Sequence, residues 1–357
     1  MKLVFSGGWL GQEGLFQAQI KRVHALQSLQ EIKQGQSFLV VSYHAGAQTL
    51  HLPLRRPLYP LVLQIEVGEL LPFGGGSEDK ARLRLLSSSF TERDFIACVE
   101  KVKKMIQEGT FYQLNLTCRF DFELSGSPME LFVAYYRRQP VPYAFFLELE
   151  DFYLVSGSME LFLEKRGRRL LSKPIKGTAT SLRTLSQSVK DKAENLMITD
   201  MVRNDLSKVA LPGSVRVEEL FRIEKFKTLY QMHSSVVAET QEELPALLEA
   251  TFPPASVVGA PKRKAVEVID QLEPHLREYY CGCAGFLLGG DFTLSVLIRT
   301  AIGRGRELSY YAGAGILWDS VPEKEWQEVL LKVKAFHRRV ETLQSTTQNF
   351  PRSITYL

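Results

Sequence analysis

The sequence predicts an α+β layered fold, with large, mostly antiparallel sheets flanked by helices. Short apolar or alternating runs bounded by glycine, proline and charged pairs recur along the chain and greatly outnumber segments able to form parallel crossovers. Amphipathic helical stretches are interspersed among them, with no internal repeat and no low-complexity linker. At 357 residues the chain is long enough for one large domain or two small ones.

Taken in order, Phe38–Tyr43 and Leu61–Val67 read as strands, and Phe73–Asp79 as a glycine-rich flexible loop. Thr91 is a good N-cap for a helix whose first turn holds Glu92 and Asp94. Phe95, Val99, Val102 and Ile106 fall on one face of that helix, and Gly109 ends it. Phe111–Phe122 alternates as a strand with Gln113, Asn115 and Thr117 on one face, either a solvated face or a pocket wall. Pro140–Val155 gives two strands. Lys165–Leu171 gives a strand pair turning at Gly167. Asp191–Asp205 is helical by pattern, with Leu196, Met197, Ile198 and Met201 inward. Helices follow at Glu242–Thr251 and Pro261–Leu272, the latter opened by its proline. Gly282–Leu288, Phe292–Ile302 and Leu308–Gly313 are strands, and Glu323–Thr342 is a long final helix.

Composition is that of an ordinary globular protein, 45% hydrophobic and 24% charged. No apolar run approaches the roughly 20 residues of a membrane span, and Met1–Gly8 lacks a signal-peptide pattern, so a cytoplasmic protein is expected. The basic clusters Lys165–Arg169 and Lys262–Lys264 lack the interleaved aromatics of a base-stacking groove. They read as solvated faces, and no nucleic-acid partner is expected. Cys281 and Cys283 are too close for zinc-type pairing, so all four cysteines are expected to be thiols.

Several groups carry chemistry. In Ser172–Thr178, Pro174 holds Lys173 extended and Gly177 permits a bend directly after Lys176. Asp191 with Glu194, and Glu325 with Glu328, are i, i+3 pairs on two helices. Such pairs coat exposed helix faces, and facing each other they also suit a hard cation such as Mg²⁺. Glu160 precedes Lys176 by one strand and, if buried, could serve as an acid. Arg299 offers a planar fork for a carboxylate, and Gly313-Ala314-Gly315 lets backbone amides approach an anion. Gly259-Ala260-Pro261-Lys262 places a turn at a helix start but lacks the ending of a Walker loop.

These motifs occur in a familiar order: Gln113–Thr117, Ser158–Glu160, Pro174–Thr178, Glu194–Leu206, Met232–Ser235, Gly259–Lys262, Ile298–Thr300, Ala312–Ile316 and Glu325–Glu328. The ordered set, from about Thr91 to Val340, resembles the chorismate-utilising enzymes, the anthranilate, aminodeoxychorismate, isochorismate and salicylate synthases. The resemblance implies two packed sheets with helices outside. Residues 1–90 would be a short strand-rich part of the same domain, 91–340 the chorismate-binding catalytic core and 341–357 a tail. It further implies Glu160 as general acid, Glu194 and Glu328 as direct Mg²⁺ ligands, and Asp191 and Glu325 acting through water. Gln113, Thr178, His233, Ala260, Tyr280, Arg299, Gly313, Ala314, Gly315 and Lys332 would contact chorismate.

Two positions discriminate within the family. Isochorismate and salicylate synthases carry a lysine base where this chain has Gln113, which cannot deprotonate water. Lys176, where anthranilate synthases usually have alanine, resembles the aminodeoxychorismate synthases. That likeness implies attack by Lys176 on C2 of chorismate, loss of the C4 hydroxyl, and amination at C4 by ammonia. Cys98 and Cys118 lie in a helix and a strand without a nucleophile elbow, so a glutamine amidotransferase subunit is expected to supply the ammonia. An anthranilate synthase subunit and a non-catalytic chorismate-binding homologue are the alternatives. Met159 and Val258 depart from residues usual in relatives, as does the Ala179–Ser181 stretch.

Overall fold

The computed structural model describes residues 1–75, 81–227 and 229–336. The expected tail, the end of the glycine-rich loop and the last part of the final helix lie outside them. The chain opens with β1 (Lys2–Ser6), β2 (Leu15–Leu26) and β3 (Gly35–Val41), passes α1 (Gly46–Thr49), and returns as β4 (Val62–Pro72) and β5 (Arg82–Ser88). After α2 (Glu92–Gln107) come β6 (Gln113–Ser125), α3 (Pro128–Arg138), β7 (Tyr143–Glu148), β8 (Tyr153–Ser158), β9 (Leu161–Arg166), β10 (Arg169–Lys173) and β11 (Ile175–Ala179). Next are α4 (Leu182–Gln187), α5 (Val189–Ser207), β12 (Arg216–Lys225), β13 (Tyr230–Glu239), α6 (Leu244–Thr251), β14 (Gly259–Ala260) and α7 (Lys262–Leu272). The chain closes with β15 (Cys283–Gly289), β16 (Asp291–Val296), β17 (Thr300–Arg304), β18 (Glu307–Ile316) and α8 (Pro322–Phe336).

Every strand pairing among the described residues is antiparallel. One limb runs β13–β10–β9–β16–β15–β3–β4, with β11 and β12 both on β13. The other runs β2–β1–β7–β8–β17–β18–β6, with β5 and β14 on β6. The β2–β4 pairing joins them. The limbs then pack face to face: Phe5 of β1 meets Phe286 of β15 at 4.7 Å, and Phe38 of β3 meets Phe145 of β7 at 5.1 Å. All four rings are buried, and truncating any of them costs about 3–5 kcal/mol. This is the expected α+β architecture of packed antiparallel sheet layers with helices.

Local chemistry explains the helix starts. The Thr91 hydroxyl accepts from the Asp94 amide, and the Ser188 hydroxyl from that of Asp191. Gly167 turns β9 into β10 at φ +56°. Three expectations need correction. Leu196 is 52% exposed, and the inward face of α5 is Asn195, Ile198, Thr199, Val202, Asp205 and Leu206, so polar residues hold part of the seam. The Phe292–Ile302 run is two strands, broken at Arg299 where φ is +55°. Lys262 is not on a solvated face: its ammonium is buried against Asp205 at 2.6 Å and the Thr251 carbonyl at 2.6 Å.

Candidate active site

Glu160 sits between β8 and β9 and is 3% exposed. Its amide donates to the Ser158 hydroxyl oxygen at 3.3 Å, and its carbonyl accepts from the Val296 amide at 3.0 Å. Burial pushes its carboxyl up to about 7, against the Ser256 hydroxyl, the Lys176 ammonium and the Ile175 amide, which favour the charged form. The Ile175 amide donates to Glu160 Oε1 at 3.4 Å, so the strand carrying half-buried Lys176 also holds the acid.

The two acidic helix pairs converge with Lys176. Glu194 on α5 is raised by burial; Lys176 and Lys190 oppose this, while Glu328 and Asp191 add repulsion. Glu328 on α8 is held below the ordinary carboxylate range: burial opposes, but Lys332 at 2.7 Å, Lys190 and Lys176 outweigh it. Buried Glu325 accepts from the Ser320 hydroxyl at 2.7 Å and from Lys190 at 3.4 Å, and Lys190 also lies 3.9 Å from Glu194. Asp191 packs against Gly177, where an added Cβ would come within 2.9 Å of the Asp191 Cβ.

The donors offered to a metal are hard oxygens. Among the described residues no group of three or more ligand-type side chains is gathered in metal-binding geometry. Carboxylates of this kind would suit a cation content with one or two protein ligands and otherwise water and an anionic substrate, as Mg²⁺ is. The mutual repulsion of Glu194, Asp191 and Glu328 is the feature such a cation would relieve.

Around this group lie the residues expected to contact the substrate. Gln113 is buried at the start of β6; its Nε2 lies 3.5 Å from Glu194 Oε2, and its Oε1 has no partner among the described residues. Ala260 pairs with Gln113 in β14, and Gly315 brings β18 so near that a Cβ there would stand 2.5 Å from Gln113 Nε2. Gly313, Ala314 and Gly315 pair with Thr117, Leu116 and Asn115. Lys332 donates to the Gly313 carbonyl and to Glu328, each at 2.7 Å, and Arg299 donates to the Lys332 carbonyl at 3.4 Å. Tyr280 stacks on Tyr311 at 5.3 Å and lies within electrostatic reach of Arg299. His233, buried in β13 opposite Ile175, is held low by burial and Lys173. Thr178 is exposed at the end of β11, the least enclosed of these residues.

Sequence reasoning missed three features. Ser256 lines a cavity with Glu160 and favours its charged form, yet only its place two residues before Val258 hints at a role. Lys190 is i−4 to Glu194, a spacing that signals the pair. Asn115 and Thr117 do not line a pocket but join a buried network: Thr117 donates to Glu273, and Arg277 bonds Glu273 and the Asn115 carbonyl. The four cysteines are free and buried, and burial pushes their thiols up, to about 11 for Cys98 and about 12 for Cys118 and Cys281. Among the described residues no helix is long and apolar enough to cross a membrane.

Comparison with known proteins identifies the family. Residues 61–338 match the family model described as chorismate binding enzyme. Anthranilate synthase component 1 of Aquifex aeolicus is 36% identical over 274 residues, 73% of this chain and 56% of the relative. Aminodeoxychorismate synthase component 1 of Escherichia coli is 37% identical over 267 residues, 71% of this chain and 59% of the relative. The chain thus matches little more than half the length of these relatives. Among solved structures, anthranilate synthase component I of Streptococcus pneumoniae superposes with TM-score 0.75 at 21% identity, over 94% of this chain and 92% of that one. The menaquinone-specific isochorismate synthase of Escherichia coli gives TM-score 0.67 at 18% identity, over 91% of this chain and 95% of that one. The chain belongs to the chorismate-binding enzyme family.

Proposed function

We propose that this chain aminates chorismate at C4, giving 4-amino-4-deoxychorismate, a precursor of p-aminobenzoate and folate. The observation that carries the reading is the placing of Lys176 and Glu160 by one strand, β11, with Glu160 buried and its carboxyl raised to about 7. Glu160 thus holds its proton to far higher pH than an ordinary carboxyl, as a general acid requires. Lys176, as the neutral amine, attacks C2. The ring double bonds shift, and the C4 hydroxyl leaves as water with the proton of Glu160. Ammonia then attacks C4, the double bonds shift back, and the lysine is displaced. Arg299, Lys332 and the Gly313–Gly315 backbone would hold the carboxylates of the substrate, and Gln113 one wall of the pocket. Mg²⁺, held by Glu194 and Glu328 directly and by Asp191 and Glu325 through water, would neutralise the C1 carboxylate.

The ammonia would come from a separate glutamine amidotransferase subunit. Glutamine hydrolysis needs an activated thiolate, and the raised thiols here are the opposite of that. Free buried thiols also suit the cytoplasm, the compartment of this reading. The test is incubation with chorismate, Mg²⁺ and ammonium, followed by mass and ultraviolet identification of the product. Aminodeoxychorismate supports the reading. Anthranilate would assign the chain to the other aminating branch, and unchanged chorismate would make it a binding protein.

A further inference from the structure

A small cavity lies on a side of Glu160 that Lys176, Gln113 and Glu194 do not line. Its walls include Glu160, Ser172, Pro174, Asp205, Thr251 and Ser256, and about 20 Å³ of it is open to a water-sized occupant. Ser256 is 7% exposed and sits in the short turn Ala255–Val257, immediately before the β14 residues that pair with Gln113 and Leu114. That turn is fixed twice. Val257 donates its amide to the Pro254 carbonyl at 3.3 Å, and its own carbonyl accepts from Asn115 and Arg277, each at 3.0 Å. The hydroxyl is therefore carried on a rigid support, and Glu160, which lines the same cavity, stands on a backbone held by Ser158 and Val296.

We propose that Ser256 is a positioning residue for Glu160: its hydroxyl orients the carboxyl and stabilises the carboxylate left when the proton departs. This rests on the C4-amination reading. In that step the Glu160 O–H bond breaks as a new O–H bond forms on the departing hydroxyl, and the C4–O bond breaks to release water. The carboxylate regains a proton from the nitrogen that ammonia attack places on C4. A serine hydroxyl suits both states, because by rotating it accepts from a protonated carboxyl and donates to a carboxylate. The Ile175 amide can only donate, and so favours the charged form.

The electrostatics agree. Burial raises the Glu160 carboxyl, and the Ser256 hydroxyl is the largest influence pulling it down, ahead of Lys176. The charged groups facing Glu160 are Lys176 from β11 and, across the cavity, Asp205 from α5. Asp205 is tied to Lys262 at 2.6 Å and to Lys208 at 2.9 Å. The β9 and β16 walls, Leu161, Leu163 and Val296, add no charge.

The experiment compares wild type, Ser256→Ala and Ser256→Thr by two readouts. The first is infrared titration of the Glu160 carboxyl band without chorismate, the band being identified by its loss in Glu160→Gln. The second is kcat against pH. In Ser256→Ala the carboxyl should titrate about one pH unit higher, and kcat should fall about tenfold with little change in KM. Ser256→Thr keeps the hydroxyl, and the cavity can take its methyl, so it should restore both. An unchanged titration in Ser256→Ala overturns the proposal, as does a folded threonine variant no better than alanine. If the wild type leaves chorismate untouched, the C4-amination reading fails, while the infrared titration still decides the Ser256 contact.

Discussion

The backbone amide of Ile175 donates to Oε1 of Glu160 at 3.4 Å, one residue before Lys176. The carboxyl of the acid is thus tied to the backbone of the strand that carries the candidate nucleophile. Burial raises Glu160 from 4.5 to about 7, so its proton is bound more tightly in the folded chain than in the unfolded one. The stability this gives is full below about pH 4.5 and is lost as pH rises through 7. Glu160→Gln removes the burden of a buried carboxylate. Its gain in unfolding free energy over wild type should be larger at pH 8 than at pH 5, the difference being on the order of 2–3 kcal/mol. Denaturant melts at the two pH values check this; a gain independent of pH contradicts the raised carboxyl.

The same acid should shape the rate. Activity that needs protonated Glu160 falls as pH rises through about 7. A falling limb in the kcat profile is expected above about pH 7, and it should vanish in Glu160→Gln, leaving only residual turnover. Stopped-flow loss of chorismate absorbance across the pH range measures it.

Glu328→Ala tests the metal. Removing this carboxylate leaves Lys332 its Gly313 partner, so the fold should persist. Mg²⁺ affinity read by calorimetry should drop at least tenfold, since one direct ligand goes, and Mg²⁺-dependent turnover should be lost. Wild-type affinity in this variant, or full activity of the wild type in excess chelator, contradicts the assignment.

Gly315→Ala probes the closeness of β18 to the pocket. The added Cβ would stand 2.5 Å from Gln113 Nε2 and 3.6 Å from Glu194 Oε2. The obstacle is a side-chain end, so the strand survives and Gln113 moves. KM for chorismate should rise about tenfold or more, while the melting temperature shifts by only a few degrees. An unchanged KM would show that Gln113 does not wall the pocket.

Glu273 carries stability rather than chemistry. It is held low because Arg277, at 2.7 Å, His275 and Thr117 outweigh its burial. Glu273→Gln strands the buried Arg277 charge and should cost about 3–5 kcal/mol. The wild-type contribution is present above about pH 4.5 and lost as pH falls through the lower folded value. Denaturant titration at neutral and acidic pH checks both statements; a loss below about 1 kcal/mol would contradict them.

Much of this was legible from local pattern. Thr91, Gly109 and the turn at Gly167 act through their own backbone chemistry, so sequence locates them. The i, i+3 spacing of Asp191 with Glu194 and of Glu325 with Glu328 follows from helix geometry alone. What sequence cannot carry is contact between distant segments. Ser256 comes to share a cavity with Glu160 through a turn nearly a hundred residues downstream, in a register only the folded sheet fixes. Asn115 and Thr117 read as pocket or solvent because their partners, Val257, Glu273 and Arg277, lie far along the chain. Leu196 shows that an apolar residue in a helical run need not face inward when the seam takes Asn195 and Thr199 instead.

The most direct test of the central claim is covalent capture at Lys176. Wild type and Lys176→Ala are incubated with chorismate and Mg²⁺ in the absence of ammonia, quenched, digested and examined by mass spectrometry. The account predicts a substrate-derived mass on the peptide containing Lys176, absent in the variant, which should still fold and bind chorismate. Normal production of aminodeoxychorismate by Lys176→Ala would contradict it.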